Sequence, residues 1–170
     1  MKAMTIYQPW ASLIMAGAKP YEFRGWSPRQ RGGAYARLIG ERIVIHASTR
    51  KIDRHEVSAI VGLLNSGGEW AAQTCLHADK AMPVLTEALK MTSNISLPFG
   101  CGLGTAILGE PRNGLDIAAE FGLPRVNDSD RDAHANFGWP LTDIEVWPEP
   151  VPCRGLQGFW KWPEPADLGL

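Results

Sequence analysis

The sequence predicts an α+β protein in which a small barrel or curved sheet of five to six strands carries helices on its surface. Three observations predict it. Short β-branched or aromatic runs are scattered along the whole chain, as in "RIVIHAS" and "GFWKW". Helical apolar spacing separates them, and the rhythm is not the regular strand–helix alternation that builds a parallel sheet. Finally, 170 residues with 45% hydrophobic content suit one domain with an ordinary core.

Taken in order, residues 3–7 form the first strand, and Gln8-Pro9 opens a helix, since proline is tolerated where no N–H partner is needed. Trp10, Leu13 and Ile14 give that helix a buried face, and Gly17 supplies its stop. Lys19 precedes Pro20 and is pushed out of helical geometry, so "PYEFRGW" leaves as a strand. Alternation then puts Glu22, Arg24 and Trp26 on one face and Tyr21 and Phe23 on the other.

Residues 27–41 read as a basic, glycine-containing loop leading into a core strand over 42–47, with Arg42, Val44 and His46 on one parity and Ile43, Ile45 and Ala47 on the other. Asp53 caps a helix with Glu56 in the capping-box position and Val57, Ile60, Val61 and Leu64 on one stripe. "ADKAMPVLTEALKM" (78–91) forms a second helix with Pro83 near its start. A glycine-punctuated turn precedes a strand over 104–108, and 111–134 reads as a polar surface excursion. "WPLTDIEVWPEPVPC" alternates Ile144 and Val146 against Asp143, Glu145 and Trp147 until a proline-rich break, and "GFWKW" closes the chain as a short strand.

Charge and cysteine usage narrow the function classes. Seventeen basic against eighteen acidic residues leave a net charge of −1, so nucleic-acid binding would need a local patch. Three dispersed cysteines fit neither a disulfide framework nor a zinc motif, which points to a reducing, cytoplasmic setting. With no apolar run of membrane-spanning length and no leader pattern, the chain reads as untargeted and not membrane-bound. Seven tryptophans are the outlying number; such rings fill cores, and they also wall clefts where bases stack.

Several motifs fail. "DSDRDA" (128–133) mimics a calcium loop, but Ala133 stands in place of glycine and Trp139 in place of the bidentate glutamate. "STRK" lacks the companion elements of serine acylases, and the glycines at 100–104 lead into a strand, unlike a phosphate loop. His46, His55, His77 and His134 are dispersed, so no metal or cofactor is expected. What remains is "GAKPYEFRGW" (17–26). Its Lys19, Glu22 and Arg24 could form a catalytic lysine–carboxylate pair, a clamp for phosphate or base beside Trp10 or Trp26, or a purely structural ion pair.

The chain resembles the ASCH family of the PUA-like superfamily. The likeness rests on "YQPWASLIMAGAKPYEFRGW" (7–26), which carries the hallmark G-x-K-x-x-E-x-R as Gly17, Lys19, Glu22 and Arg24, and on "IHAS", "LPFGCGLGTA" and "RGLQGFWKW" further along. The resemblance implies a PUA-like barrel with a cleft beside the helix between the first two strands. It also implies an RNA or modified-nucleoside ligand, held by Trp10, Lys19, Glu22, Arg24 and Trp26 with His46, Arg154, Gln157 and Trp160 nearby. Residues 52–96 and 111–136 match no part of the pattern and read as insertions in a single domain. If the chain is an enzyme, Lys19, Glu22 and Arg24 are the candidate catalytic residues, for a metal-independent ribonuclease or an N4-acylcytidine amidohydrolase. The amidohydrolase branch carries threonine where this chain has Glu22, and its further glutamate comes from a region that does not align here, with Glu56, Glu69 and Glu110 as candidates.

Overall fold

The computed structural model describes residues 1–90 and 96–163. In chain order it runs β1 (Lys2–Ile6), α1 (Trp10–Met15), β2 (Tyr21–Arg24), a 3₁₀ turn (Pro28–Arg31), α2 (Gly33–Ala36) and β3 (Arg42–Ala47). Helices α3 (Arg54–Ser66), α4 (Gly68–Ala72) and α5 (Ala78–Ala88) follow. The second half contains β4 (Cys101–Leu108), β5 (Arg112–Asn113), α6 (Gly114–Glu120), a 3₁₀ turn (Asp132–Asn136), β6 (Phe137–Pro152) and β7 (Phe159–Lys161).

Six strands form one curled sheet in the order β2-β6-β4-β3-β1-β7, with the short β5 added on β6. Among the described residues only β1 and β3 pair in parallel. The α+β class and the curled, half-barrel sheet with surrounding helices are as the sequence predicts. The curl brings the two ends of the strand order close together: Phe159 of β7 stacks on Trp139 of β6, and Trp139 is the register partner of Glu22 in β2. Among the described residues β2 and β7 do not pair, so an open seam remains between them.

The parity of β3 decides its two faces. Ile43, Ile45 and Ala47 enter the main core with Leu13, Ile14, Val57, Leu85 and Leu108, whereas Val44 joins Ala3 and Trp160 in a second cluster. Gln8 fastens the start of α1 from its side chain, accepting from the Ser12 N–H and donating to the Pro98 carbonyl at 2.6 Å. Gly17, at φ +65, ends the helix where a side chain would be strained.

Several sequence expectations are corrected. Residues 27–41 include the 3₁₀ turn and α2. Strand β4 begins at Cys101 instead of 104, because pairing with Ala47 and Pro152 carries it through the glycines. Pro83 lies in the middle of α5, and Met91, the expected end of that helix, falls outside the described residues. No proline-rich break ends β6. The strand continues to Pro152 because this stretch pairs with β4 on one side only, so its prolines have no ladder N–H to forfeit on the other. Its alternation is also interrupted: Asp143 has φ +47, and Val146 is 61% exposed. The polar stretch 111–134 is no mere surface excursion, since Val126 and Asp128 are buried within it.

Candidate functional site

A cavity of about 440 Å³ occupies the open seam. One wall comes from β2 (Glu22, Phe23, Arg24) with Trp26 and Trp139, and another from β1 and the stretch Gly155–Phe159 that enters β7. Trp10 of α1, Glu56 of α3 and Asp128, Arg131 and His134 complete the lining.

The floor is a chain of alternating charges. After Gly17 reverses the backbone, the Ala18 and Lys19 N–H groups both donate to the Leu13 carbonyl, which turns the Lys19 side chain inward until it is 1% exposed. Its ammonium is hydrogen-bonded to the Asp128 carboxylate and lies 3.3 Å from Glu22 Oε2. Glu22 Oε1 in turn sits 2.7 Å from an Arg24 terminal nitrogen. Two cations and two carboxylates thus alternate as Asp128–Lys19–Glu22–Arg24, and the buried array is formally neutral.

The order of charges sets the acidities. Burial alone would depress the Lys19 pKa, but Asp128 and Glu22 outweigh it and hold the ammonium above its usual range. Burial would raise Glu22; the cations Arg24 and Lys19 on its two sides bring it below the ordinary carboxylate range instead. Burial outweighs the Lys19 ammonium that Asp128 shares with Glu22, and its pKa is raised. His134, desolvated and facing Arg24 and Arg131, is depressed and stays neutral near pH 7.

The stretch that brings Asp128 in is tied at several points. Trp10 Nε1 donates to the Asp128 carbonyl at 3.0 Å, the Asn127 N–H to the Gln73 carbonyl at 2.8 Å, and the Asp130 N–H to Glu56 Oε1 at 3.4 Å. Glu56 therefore does not close the expected capping box. Asp53 caps α3 alone by accepting from the His55 and Glu56 N–H groups, while the Glu56 carboxyl, raised by burial and by Asp130, faces the cavity. Of the other two glutamates considered, Glu110 pairs with Arg29 at 2.5 Å at the surface and Glu69 is exposed on α4.

Of the residues singled out from sequence, Trp10, Lys19, Glu22, Arg24, Trp26 and Gln157 line the cavity. Trp10 is 8% exposed and donates its indole N–H to the Asp128 carbonyl, so little of its ring is open to the cavity. His46, Arg154 and Trp160 do not line it. Strand parity turns His46 away from the main core and behind Gly155, where its ring packs edge-on against Trp160. Arg154 points to solvent, and Trp160 donates its indole N–H to Thr5 Oγ1 at 3.1 Å. Asp128, Arg131, His134 and Tyr7 were not recognised as site residues from sequence, and Glu56 was named only as one of three candidates for a further glutamate; for Asp128 the one signal was the failed calcium loop.

His46 instead braces the cavity wall. Its Nε2 is 2.9 Å from the Cys153 carbonyl, and Nδ1 is buried with no partner among the described residues, which fits a neutral ring donating from Nε2. Burial depresses its pKa below the ordinary value of 6.5. The unfolded chain then binds the proton more readily, so this contribution to stability is present above about pH 6.5 and is lost on acidification through the folded value. His134 adds in the same sense. Urea titrations should show stability falling between pH 7 and 5, with a shallower fall in His46→Gln; equal slopes for the two proteins would show that His46 is not part of it.

Residues 4–93 match the ASCH domain family model, a span that holds Lys19, Glu22, Arg24 and Glu56 but stops short of Asp128. No curated protein matches the chain. The chain belongs to the ASCH family, whose PUA-like architecture agrees with the curled sheet described above. Among the described residues no helix is long and apolar enough to cross a membrane.

Proposed function

We propose that the protein binds RNA or a modified nucleoside by taking one base into the seam cavity, within a single domain whose residues 111–136 complete the cleft. Family membership supports the ligand class, and a volume of about 440 Å³ falls within the roughly 300–1,000 Å³ of small-ligand clefts. The observation that carries the reading is Arg24 Nε. It is a buried donor without a partner among the described residues, on a side chain that lines the cavity. An unmatched buried donor costs about 1–3 kcal/mol, which a carbonyl or phosphate oxygen of the ligand would relieve. Arg24→Ala should therefore weaken binding of a mixed-sequence RNA or of N4-acetylcytidine by about 10- to 100-fold, read by tryptophan fluorescence, with a thermal melt to verify folding. Wild-type affinity in a folded variant would remove Arg24 from the site.

His134 favours a second reading, a metal-independent ribonuclease. A neutral imidazole in a cavity that also presents Arg24 and Arg131 has the groups needed to take a proton from a 2′-hydroxyl and to stabilise the phosphorane. The amidohydrolase reading draws less support. Glu22 replaces the threonine nucleophile, and Lys19, held as an ammonium between two carboxylates, is no base near neutral pH. Mass spectrometry of RNA and of N4-acetylcytidine after incubation separates these readings. Intact substrates mean a binding protein, RNA shortening that His134→Ala abolishes means a nuclease, and Lys19-dependent release of cytidine would restore the amidohydrolase.

A further inference from the structure

Three arginines stand out by what they touch. Arg29, Arg42, Arg112 and Arg125 are paired with carboxylates, and Arg24 is paired with Glu22. Arg31, Arg50 and Arg131 also lie over aromatic rings, as Arg24 and Arg112 do, but among the described residues none of the three has an ion-pair partner. The Arg31 guanidinium is 4.4 Å from the Trp26 ring centre; those of Arg50 and Arg131 are 4.5 and 5.4 Å from Tyr7. Both rings line the seam cavity, Tyr7 is 38% exposed, and Arg31 and Arg50 are exposed. A guanidinium lying over a ring, with no carboxylate to bind, keeps its N–H donors free for a phosphate oxygen pair.

From this we infer that the cavity mouth is a phosphate track and that the natural ligand is a single-stranded polynucleotide, one base inside the seam and its flanking phosphates on Arg31 and on the Arg50–Arg131 pair. The inference rests on the cleft reading above and goes past it. The three arginines divide between two rings contributed by separate stretches of chain, so a nucleoside has no phosphate to offer either group. A chain that continues on both sides of the buried base supplies both. The Glu56 carboxyl, which interacts electrostatically with Arg131, reduces the local positive field without forming an ion pair with it. This fits a short contact at a few phosphates better than the tracking of a long duplex.

The test is a salt titration of binding by fluorescence anisotropy, using a short mixed-sequence 2′-O-methyl RNA that cannot be cleaved through its 2′-oxygen. Cytidine and N4-acetylcytidine serve as phosphate-free ligands in competition. With about 0.7 counterions released per single-strand phosphate, three contacts give a slope of about −2 for log affinity against log salt, and the nucleosides give a slope near zero. The double variant Arg31→Ala/Arg50→Ala should flatten the RNA slope to about −0.7 and weaken binding about 25-fold at 0.1 M salt. Arg31→Lys/Arg50→Lys, which keeps the charge, should retain most of the slope, and Arg37→Ala, exposed elsewhere, should match the wild type. A wild-type slope in the double alanine variant, or RNA bound no more tightly than a nucleoside, overturns the track while nucleoside affinity leaves the cleft reading standing. Failure of both RNA and nucleosides to bind the wild type overturns both.

Discussion

Replacing Lys19 by methionine will lower the unfolding free energy at pH 7 by about 3–5 kcal/mol, the usual result of removing one partner from a buried ion pair. Methionine fills much of the same volume, so the loss comes from charge. Asp128 keeps its buried carboxylate without a cation, and Glu22 is left with Arg24 alone. For a chain of this length the melting temperature should drop by about 10 °C. The pH dependence separates this from a packing defect. In the variant the Asp128 carboxyl is raised further above its unfolded value, so the folded state binds a proton more readily than the unfolded one. The deficit against wild type should therefore narrow as pH is lowered from 7 toward 4. A deficit that is constant across that range would mean that the ammonium is not what neutralises Asp128. Adding Asp128→Asn to Lys19→Met should recover part of the loss, because an amide can stay buried without a counter-charge.

The first half of this site was legible because its geometry is local. Gly17 ends a helix, Pro20 forces extension after Lys19, and period-two alternation sets Glu22 and Arg24 side by side; each step spans a few residues. The same parity argument, carried one strand further, puts His46 on the face away from Ile45 and Ala47. Strand parity thus gives its face, while its place behind Gly155 comes from the chain that enters β7. Asp128 was not readable in this way. It lies 109 positions from Lys19, and its surroundings mimic the opening of a calcium loop, so its acidity drew attention to the wrong partner. Glu56 shows the complementary limit. Local pattern assigns it to a capping box, but its carboxyl turns to Asp130, because the stretch beyond α6 folds back over the N-terminal end of α3. The curvature of the sheet was predicted in kind. The seam was not, since it depends on β7 pairing with β1 and, among the described residues, not with β2, which no single strand pattern encodes.

The second large effect is expected at a residue that never touches the cavity. Gly114 opens α6 under the Asn113 side chain, which accepts from the Leu115 N–H at 2.8 Å, and packs against the backbone of the turn Asp132–Asn136. A Cβ at this position would lie 1.7 Å from the Ala135 carbonyl oxygen, a backbone atom that cannot swing aside. Gly114→Ala should therefore cost about 3 kcal/mol, the upper end of ordinary overpacking. The strain should be relieved by parting α6 from that turn. Arg131 and His134 belong to the same stretch, so the parting opens the cavity at this wall, and RNA affinity should fall together with stability. Gly122→Ala makes the comparison: nothing lies within 4 Å of a Cβ there, and only its φ of +67 is unfavourable, worth about 1 kcal/mol. Denaturant titration distinguishes a local from a global response. A lowered m-value with faster proteolysis between residues 121 and 133 means that the stretch has come away from a still-folded sheet. An unchanged m-value with a lower midpoint means that it unfolds with the rest, in which case the buried Asp128–Lys19 bond is strong enough to make the second half of the site one cooperative unit with the first. Wild-type stability and affinity in Gly114→Ala would show that the contact with Ala135 does not hold this wall.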